Sequence, residues 1–215
     1  MIERALAVVA HPDDEAWAMG GTLALWASLG AEVRVLSMTA GEAGGDPTIR
    51  RAEFAASCAA LGVTGDVLDL PDGSLASVRG GPALVRDVVG AFAPSVVLTL
   101  GPDGGYAHLD HQAVTRWVDR CGAPVLHAVF PPGLLHPVWR GLRRAKFPGV
   151  AKGLSREAFG SVNADVFVDI TAVSERKRAA MAAHASQLRG RAPEDFLLPG
   201  LLDALGSTER WAEPR

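Results

Sequence analysis

Residues 10–15 read "AHPDDE" and residues 104–111 read "GGYAHLDH". Together they hold His11, Asp13, Asp14, His108 and His111, with Asp110 between the last two histidines. Two imidazoles and a carboxylate can hold zinc and leave a coordination position open. Zinc so held brings the pKa of water down to about 7. A second carboxylate can take the proton which that water gives up, and a further imidazole can steady an oxyanion or protonate a leaving group. The set therefore suits metal-assisted hydrolysis, and Pro12 stiffens the first turn. Taken singly, a His-Pro after a strand is a loop, and an Asp-Asp pair is solvated or caps a helix. The chemical reading requires that two runs about 100 residues apart in the chain meet in space.

The elements around them are expected to bring that about. Apolar runs predict strands at 6–10, 32–38, 66–70, 95–100, 124–130 and 166–170. Between them, helical patterns are expected at 22–29, with Gly30 as the stop, and from Asp46 as cap and Pro47 in the first turn to Leu61, with Gly62 ending it. Leu84, Val85, Val88, Val89 and Phe92 have helical spacing, and a further helix is expected at 111–119. Thr171 is expected to cap a helix running to 188, and a short helix is expected around 195–205. This alternation predicts an α/β fold: a Rossmann-like, open, mostly parallel sheet with helices on both faces, in a single domain over 1–215. Residues 131–163 read as an irregular surface excursion that could cover a site. In open parallel sheets ligands bind beyond the carboxyl ends of the strands, where strand order reverses. If the sheet is doubly wound, strands one and four are neighbours there, and the two polar runs face one crevice.

The bulk numbers narrow the function classes. A chain of 215 residues, 48% apolar and 21% charged, suits one globular domain. Its net charge of -3 offers nothing to a nucleic acid or an anionic membrane surface. No apolar stretch approaches the roughly 20 residues of a membrane span. The chain opens on an apolar strand, which predicts no cleaved leader, and Cys58 and Cys121 have neither metal spacing nor a disulfide pattern. A reduced cytoplasm is the expected setting.

At the residues quoted above, the chain resembles the PIG-L/LmbE-type zinc-dependent N-deacetylases. Besides the two principal runs, "GGTLA" at 20–24 matches well. "TAGEAGG" at 39–45, "RRAE" at 50–53, "LGV" at 61–63, "LPDGSL" at 70–75 and "AAHASQ" at 182–187 match more loosely. The resemblance covers a core of about 4–188. It implies that His11, Asp14 and His111 bind Zn2+, that Asp13 is the general base, and that His108 stabilises the oxyanion and is available to protonate the amine. Asp110 would orient one of the flanking histidines. Leu109 stands where the family commonly has proline, which alters loop stiffness and no ligand. The implied substrate is a small N-acyl amino sugar or glycoside, above all an N-acetylglucosamine derivative that loses its acetyl group. Arg50 and Asp72 are candidates for sugar hydroxyls, with an exposed helix residue and a simple Asp-Gly turn as the alternatives. Tyr106 is a candidate substrate contact that could equally pack on its own loop.

Glu15 is expected to support a neighbour or cap a helix, and His184 to be packed or hydrogen-bonded beside Ala180, Met181 and Leu188. His127 reads as structural, His136 as lining a lid, Trp17 as core close enough to the turn to wall a pocket, and Arg140, Arg143, Arg144 and Lys146 as a solvated face or a contact for an anionic substrate group. Iron or another divalent transition metal could replace zinc on these ligands, and a homo-oligomer remains open. Two rivals stand beside the deacetylase. A non-catalytic sugar- or nucleotide-binding module lacks a G-x-G-x-x-G loop after strand one. A zinc hydrolase of another ester or amide would use the same activated water.

Overall fold

The computed structural model describes residues 2–147, 149–161 and 163–214. Its centre is a seven-stranded sheet in the order β3-β2-β1-β4-β5-β7-β6. The first five strands, β1 (Arg4–Val9), β2 (Glu32–Ser37), β3 (Thr64–Val67), β4 (Val96–Leu100) and β5 (Val125–Val129), pair in parallel. β6 (Val166–Asp169) and β7 (Thr208–Ala212) complete the sheet with antiparallel pairings. Strand order reverses at β1, which lies between β2 and β4, so the expected switch point is present.

Alternation along β1 divides the core. Ala5, Ala7 and Val9 join one apolar cluster, while Leu6, Val8 and Ala10 join the other. The first cluster lies under α1 (Asp14–Ser28) and α2 (Pro47–Leu61), and the second under α3 (Gly81–Phe92). After β4 come a single distorted turn, α4 (Gly104–Ala107), and α5 (Leu109–Val118), which also packs on the second cluster. Then follow α6 (His136–Arg144), α7 (Ser174–Ala183), α8 (Ala185–Leu188) and α9 (Leu201–Leu205). Asp46 caps α2 as expected, accepting the N–H of Thr48 at 2.7 Å, and Gly62 ends that helix with φ 76°. No helix among the described residues is long and apolar enough to cross a membrane.

Several elements differ from the sequence expectation. The first helix starts at Asp14, not Thr22, and runs through Gly20 and Gly21. Glycine there marks close packing and not a stop, because a Cβ on Gly21 would fall 2.3 Å from Cδ1 of Ile170. β3 ends at Val67, short of residue 70. Thr171 does not cap the late helix: its N–H donates to Asp169 at 2.9 Å, a 3-10 turn follows, and the helix breaks at His184. Residues 131–163 contain α6, and only the last part of 195–205 is helical.

β7 is not apparent in the sequence, since its inward-facing residues are Glu209 and Trp211. Burial of Glu209 is offset by three donors. Gly21 and Thr22 give backbone N–H groups at 2.9 and 2.7 Å, and the fully buried Lys177 reaches it at 2.7 Å while also donating to the Leu205 carbonyl. The Trp211 indole N–H adds a bond to Thr22 Oγ1. The last strand is thereby tied to both α1 and α7. Lys177→Met is expected to leave the Glu209 charge without its cation and to cost about 3–5 kcal/mol, read as a lower denaturant midpoint; an unchanged midpoint removes the pair from the stability argument.

Candidate active site

The turn after β1 is short and tightly bonded. The His11 N–H donates to Asp14 Oδ2 at 3.0 Å, and Asp13 takes φ 121°, a region that non-glycine residues rarely enter. After β4, Asp103 accepts the N–H of Gly105 at 2.9 Å and that of Gly160 at 3.0 Å. Gly104 and Gly105 both have positive φ, and a Cβ on Gly105 would stand 3.3 Å from the Trp17 ring. These two glycines let the second loop lie down on the first. His108 then caps α5, which carries Asp110 and His111 inward.

Three electron-rich groups meet where the loops touch. His11 Nδ1 lies 3.1 Å from His111 Nε2, His111 Nε2 lies 3.3 Å from Asp14 Oδ1, and His11 Nδ1 lies 3.6 Å from Asp14 Oδ2. Their proton positions follow from the far side of each ring. His111 Nδ1 faces the Gly104 carbonyl at 3.0 Å, and only a protonated nitrogen can donate to it. His11 Nε2 lies 2.9 Å from Asp72 and 3.5 Å from Asp110 without a well-aligned hydrogen bond, and these carboxylates favour a proton on the ring. Both remaining lone pairs point at each other and at the carboxylate, in a space buried from water, and Asp14 Oδ1 has no hydrogen-bond partner. Tetrahedral ligands at about 2.0–2.1 Å from one ion stand about 3.3 Å apart. The donor set and its spacing therefore fit a divalent cation. Burial opposes charge on Asp14, but His111 and His11 hold its carboxyl well below the usual carboxylate range.

His108 also comes within 4.8 Å of the donor atoms of His11 and His111. Its role differs, because its Nδ1 accepts the backbone N–H of Asp110 at 3.3 Å, which leaves the proton on Nε2. Burial and the neighbouring His111 and His11 push its pKa down to about 2, so the ring is a neutral donor. The Asp110 carboxylate does not orient either histidine of its own motif. It accepts the N–H groups of Gly73 at 2.7 Å and Leu75 at 2.9 Å, and its remaining reach is to His11. Asp110 thus clamps the 70–75 loop and sets Asp72 against the His11 ring.

Asp13 stands beside this group. Burial raises its carboxyl to about 7, against the pull of Arg50, whose Nη2 lies 3.1 Å from Oδ2. Arg50 is buried, and it also donates to the Gly41 carbonyl at 2.8 Å and to the Pro12 carbonyl. It is therefore no exposed helix residue; its first partner is the acid. From below, Glu15 accepts the Asp13 N–H at 2.9 Å, the Ser57 hydroxyl at 2.6 Å and the His184 Nε2–H at 2.7 Å. Sequence reasoning left Glu15 and His184 as unspecified supports; the signal was the pairing of "DDE" with "AHASQ". Tyr106 stands edge-on to His111, with centroids 5.2 Å apart, beside Trp17.

A cavity of about 440 Å3 opens onto these groups, lined at its inner end by His11, Asp13, Arg50, Asp72, Tyr106 and His108. Of the remaining candidates, His127 pairs with Asp119 at 2.7 Å and His136 stacks on Trp139, both away from this lining. Arg140, Arg143, Arg144 and Lys146 do not line it either. Asp14→Ala and His111→Ala are each expected to lose a bound divalent ion in metal analysis after gel filtration, while Asp13→Asn retains it. Full retention in the first two variants removes those residues from the ligand set.

Comparison with known proteins decides the family. The profile of the PIG-L family, GlcNAc-PI de-N-acetylase, matches residues 6–121. The 1D-myo-inositol 2-acetamido-2-deoxy-alpha-D-glucopyranoside deacetylase of Nakamurella multipartita is 36% identical over 263 aligned positions, covering 98% of this chain and 85% of that protein. Among solved structures, the N,N'-diacetylchitobiose deacetylase of Pyrococcus horikoshii superposes with a TM-score of 0.69 at 23% identity, covering 99% of this chain and 84% of that one. The 4-carboxy-2-hydroxymuconate hydratase of Pseudomonas putida superposes with a TM-score of 0.66 at 20% identity, covering 99% and 97%. The fold alone therefore hosts more than one chemistry, and the profile match together with the close relative decides the family: the chain belongs to the PIG-L family.

Proposed function

We propose that the protein is a zinc-dependent N-deacetylase that removes the acetyl group from an N-acetylglucosamine derivative. The observation that carries this reading is the convergence of two imidazole lone pairs and the Asp14 carboxylate beside a second acid whose pKa lies near 7. His11, Asp14 and His111 would hold the ion. When bound, zinc supplies Lewis-acid chemistry, lowering the pKa of water and polarising an amide carbonyl. Asp13 takes the proton of the attacking water. Its pKa suits a base working near neutral pH, and Arg50 and Glu15 hold its side chain and backbone in place. As the carbonyl carbon becomes tetrahedral, the His108 Nε2–H donates to the oxygen on which charge gathers. Asp13, having taken the water's proton, returns it to the departing nitrogen. The C–N bond breaks to release acetate and a free amine. Asp72 and Gln187 line the cavity and offer polar partners to sugar hydroxyls.

A hydrolase of some other amide or ester remains the competing reading, because the hydratase shows that neighbouring chemistries share this fold. The two are separated by acetate release from a panel of N-acetylglucosamine derivatives. Hydrolysis is expected with zinc, its loss with chelator, and its return on adding zinc back; no release from any member of the panel in the metal-loaded protein overturns the proposal. Asp13→Asn is expected to lower kcat by about 10²–10⁴-fold. Because Asp13 works deprotonated, kcat/KM should rise with pH through a limb near 7, far above an ordinary carboxylate. A limb near 4 in the parent enzyme would move the base elsewhere.

A further inference from the structure

Within its own motif, the His108 ring is held at Nδ1, which accepts the Asp110 N–H, and by stacking on His111 with centroids 4.7 Å apart. Its backbone is held from elsewhere. The Leu109 N–H donates to the Gly149 carbonyl at 2.7 Å, and the Ala151 N–H donates to the Ala107 carbonyl at 3.0 Å. These two bonds flank an antiparallel bridge in which His108 stands opposite the buried Val150. The pair is of the kind without direct hydrogen bonds between its members, in which the two backbones come closest. Residues 149–151 therefore lie along the turn that carries His108, and they fall outside the residues matched by the family profile.

That turn needs outside support. Gly104, Gly105 and Ala107 have φ of 65°, 69° and 62°, and alanine is strained in this region. Such strain persists only where the surroundings enforce it, and the bond to the Ala107 carbonyl is one such constraint. Ala151 is anchored in turn. Its carbonyl accepts the Trp139 indole N–H at 2.9 Å, and Trp139 packs on His136 and Phe159 with centroids 5.4 and 5.5 Å away. Gly149 has φ 77°, and a Cβ there would stand 3.4 Å from Cε1 and 3.5 Å from Nε2 of His108. Bare glycine backbone thus runs beside the ring edge that carries the donor proton, and any side chain at 149 would crowd that nitrogen.

We propose that residues 149–151, anchored by Trp139, are a splint that aims the His108 Nε2–H at the oxygen of the reacting amide, so that Trp139, Gly149 and Ala151 are positioning residues. The inference rests on the deacetylase reading, in which His108 donates to that oxygen. Such a donor works at about 2.7–3.1 Å from the developing charge, and a misplacement of about 1 Å can cost about 10²-fold in rate. Neither bond of the bridge involves His11, Asp14 or His111. The splint therefore bears on turnover and not on retention of the ion.

The test uses the zinc-loaded full chain and two variants that each remove one N–H. Ala151→Pro cannot donate to Ala107, and Trp139→Phe keeps an aromatic ring beside Phe159 but cannot donate to Ala151. Ala151→Gly, which keeps the N–H, is the rescue control. Both variants are expected to retain zinc, to hold KM within about twofold and to lower kcat by about tenfold or more, while the control stays near the parent. Trp139→Phe carries the test by itself if the proline chain does not fold. The decisive measurement repeats the substitutions in a His108→Ala background, which itself lowers kcat by about 10²–10³-fold. There they should change kcat by less than about twofold, because the group they aim is gone. Equal fold losses in both backgrounds, or parent kcat in both variants with His108 present, overturn the splint and leave the deacetylase reading standing. If the parent hydrolyses no N-acetylglucosamine derivative, the deacetylase reading falls, and the proton–nitrogen resonances of the His108 ring decide the splint without turnover. A shift or splitting in the two variants that Ala151→Gly lacks supports it, and resonances unchanged from the parent overturn it.

Discussion

Two imidazole lone pairs and a carboxylate are pressed to within 3.1 to 3.6 Å of one another at the rim of the sheet, out of reach of bulk water. Without a positive charge among them this is a poor arrangement, because buried acceptors need donors. The rest of the site keeps them there. The Gly104 carbonyl and Asp72 decide which nitrogen of each ring is bare, and Asp110 in turn decides where Asp72 stands. Each ring is thus aimed by a neighbour outside the proposed ligand set, and these neighbours come from the loop after β4, the 70–75 loop and the first turn of α5.

The same economy applies to the proposed base. Asp13 occupies an unfavourable backbone conformation, and its N–H is held by a glutamate that is itself held by a serine and a histidine from distant helices. Burial that would make a lone carboxylate useless here brings its pKa near neutrality, and Arg50 keeps the shift from going further. Buried charge recurs away from the chemistry, at Lys177 and Glu209, where it fastens the last strand to the helix that begins with Asp14. Site and scaffold share α1, so rigidity in one is rigidity in the other.

The parallel half of the fold and the meeting of the two polar runs were legible in the sequence, because both follow from local patterns: apolar strands, helical spacing and the reversal of strand order at β1. What stayed hidden were features decided by contacts far apart in the chain. The start of α1 at Asp14 is not legible while Gly20 and Gly21 lie unexplained before residue 22; it follows once Ile170 is seen packed against Gly21. β7 reads as polar until Lys177 meets Glu209. Asp110 sits between two histidines in sequence, yet its carboxylate serves a loop about 35 residues away. Val138, Leu142 and Phe147 meet Phe196, Leu197 and Leu198 in the cavity lining, although no periodicity announces a shared surface.

The tie between Glu15 and His184 bears on how the molecule comes into being during translation. The three prospective ion ligands are all made by residue 111, within the parallel half of the sheet. The imidazole that helps hold the base arrives more than seventy residues later, and the strand that fastens α1 later still. On the proposed roles, a nascent chain therefore acquires the three prospective ligands well before the residue proposed as base is braced.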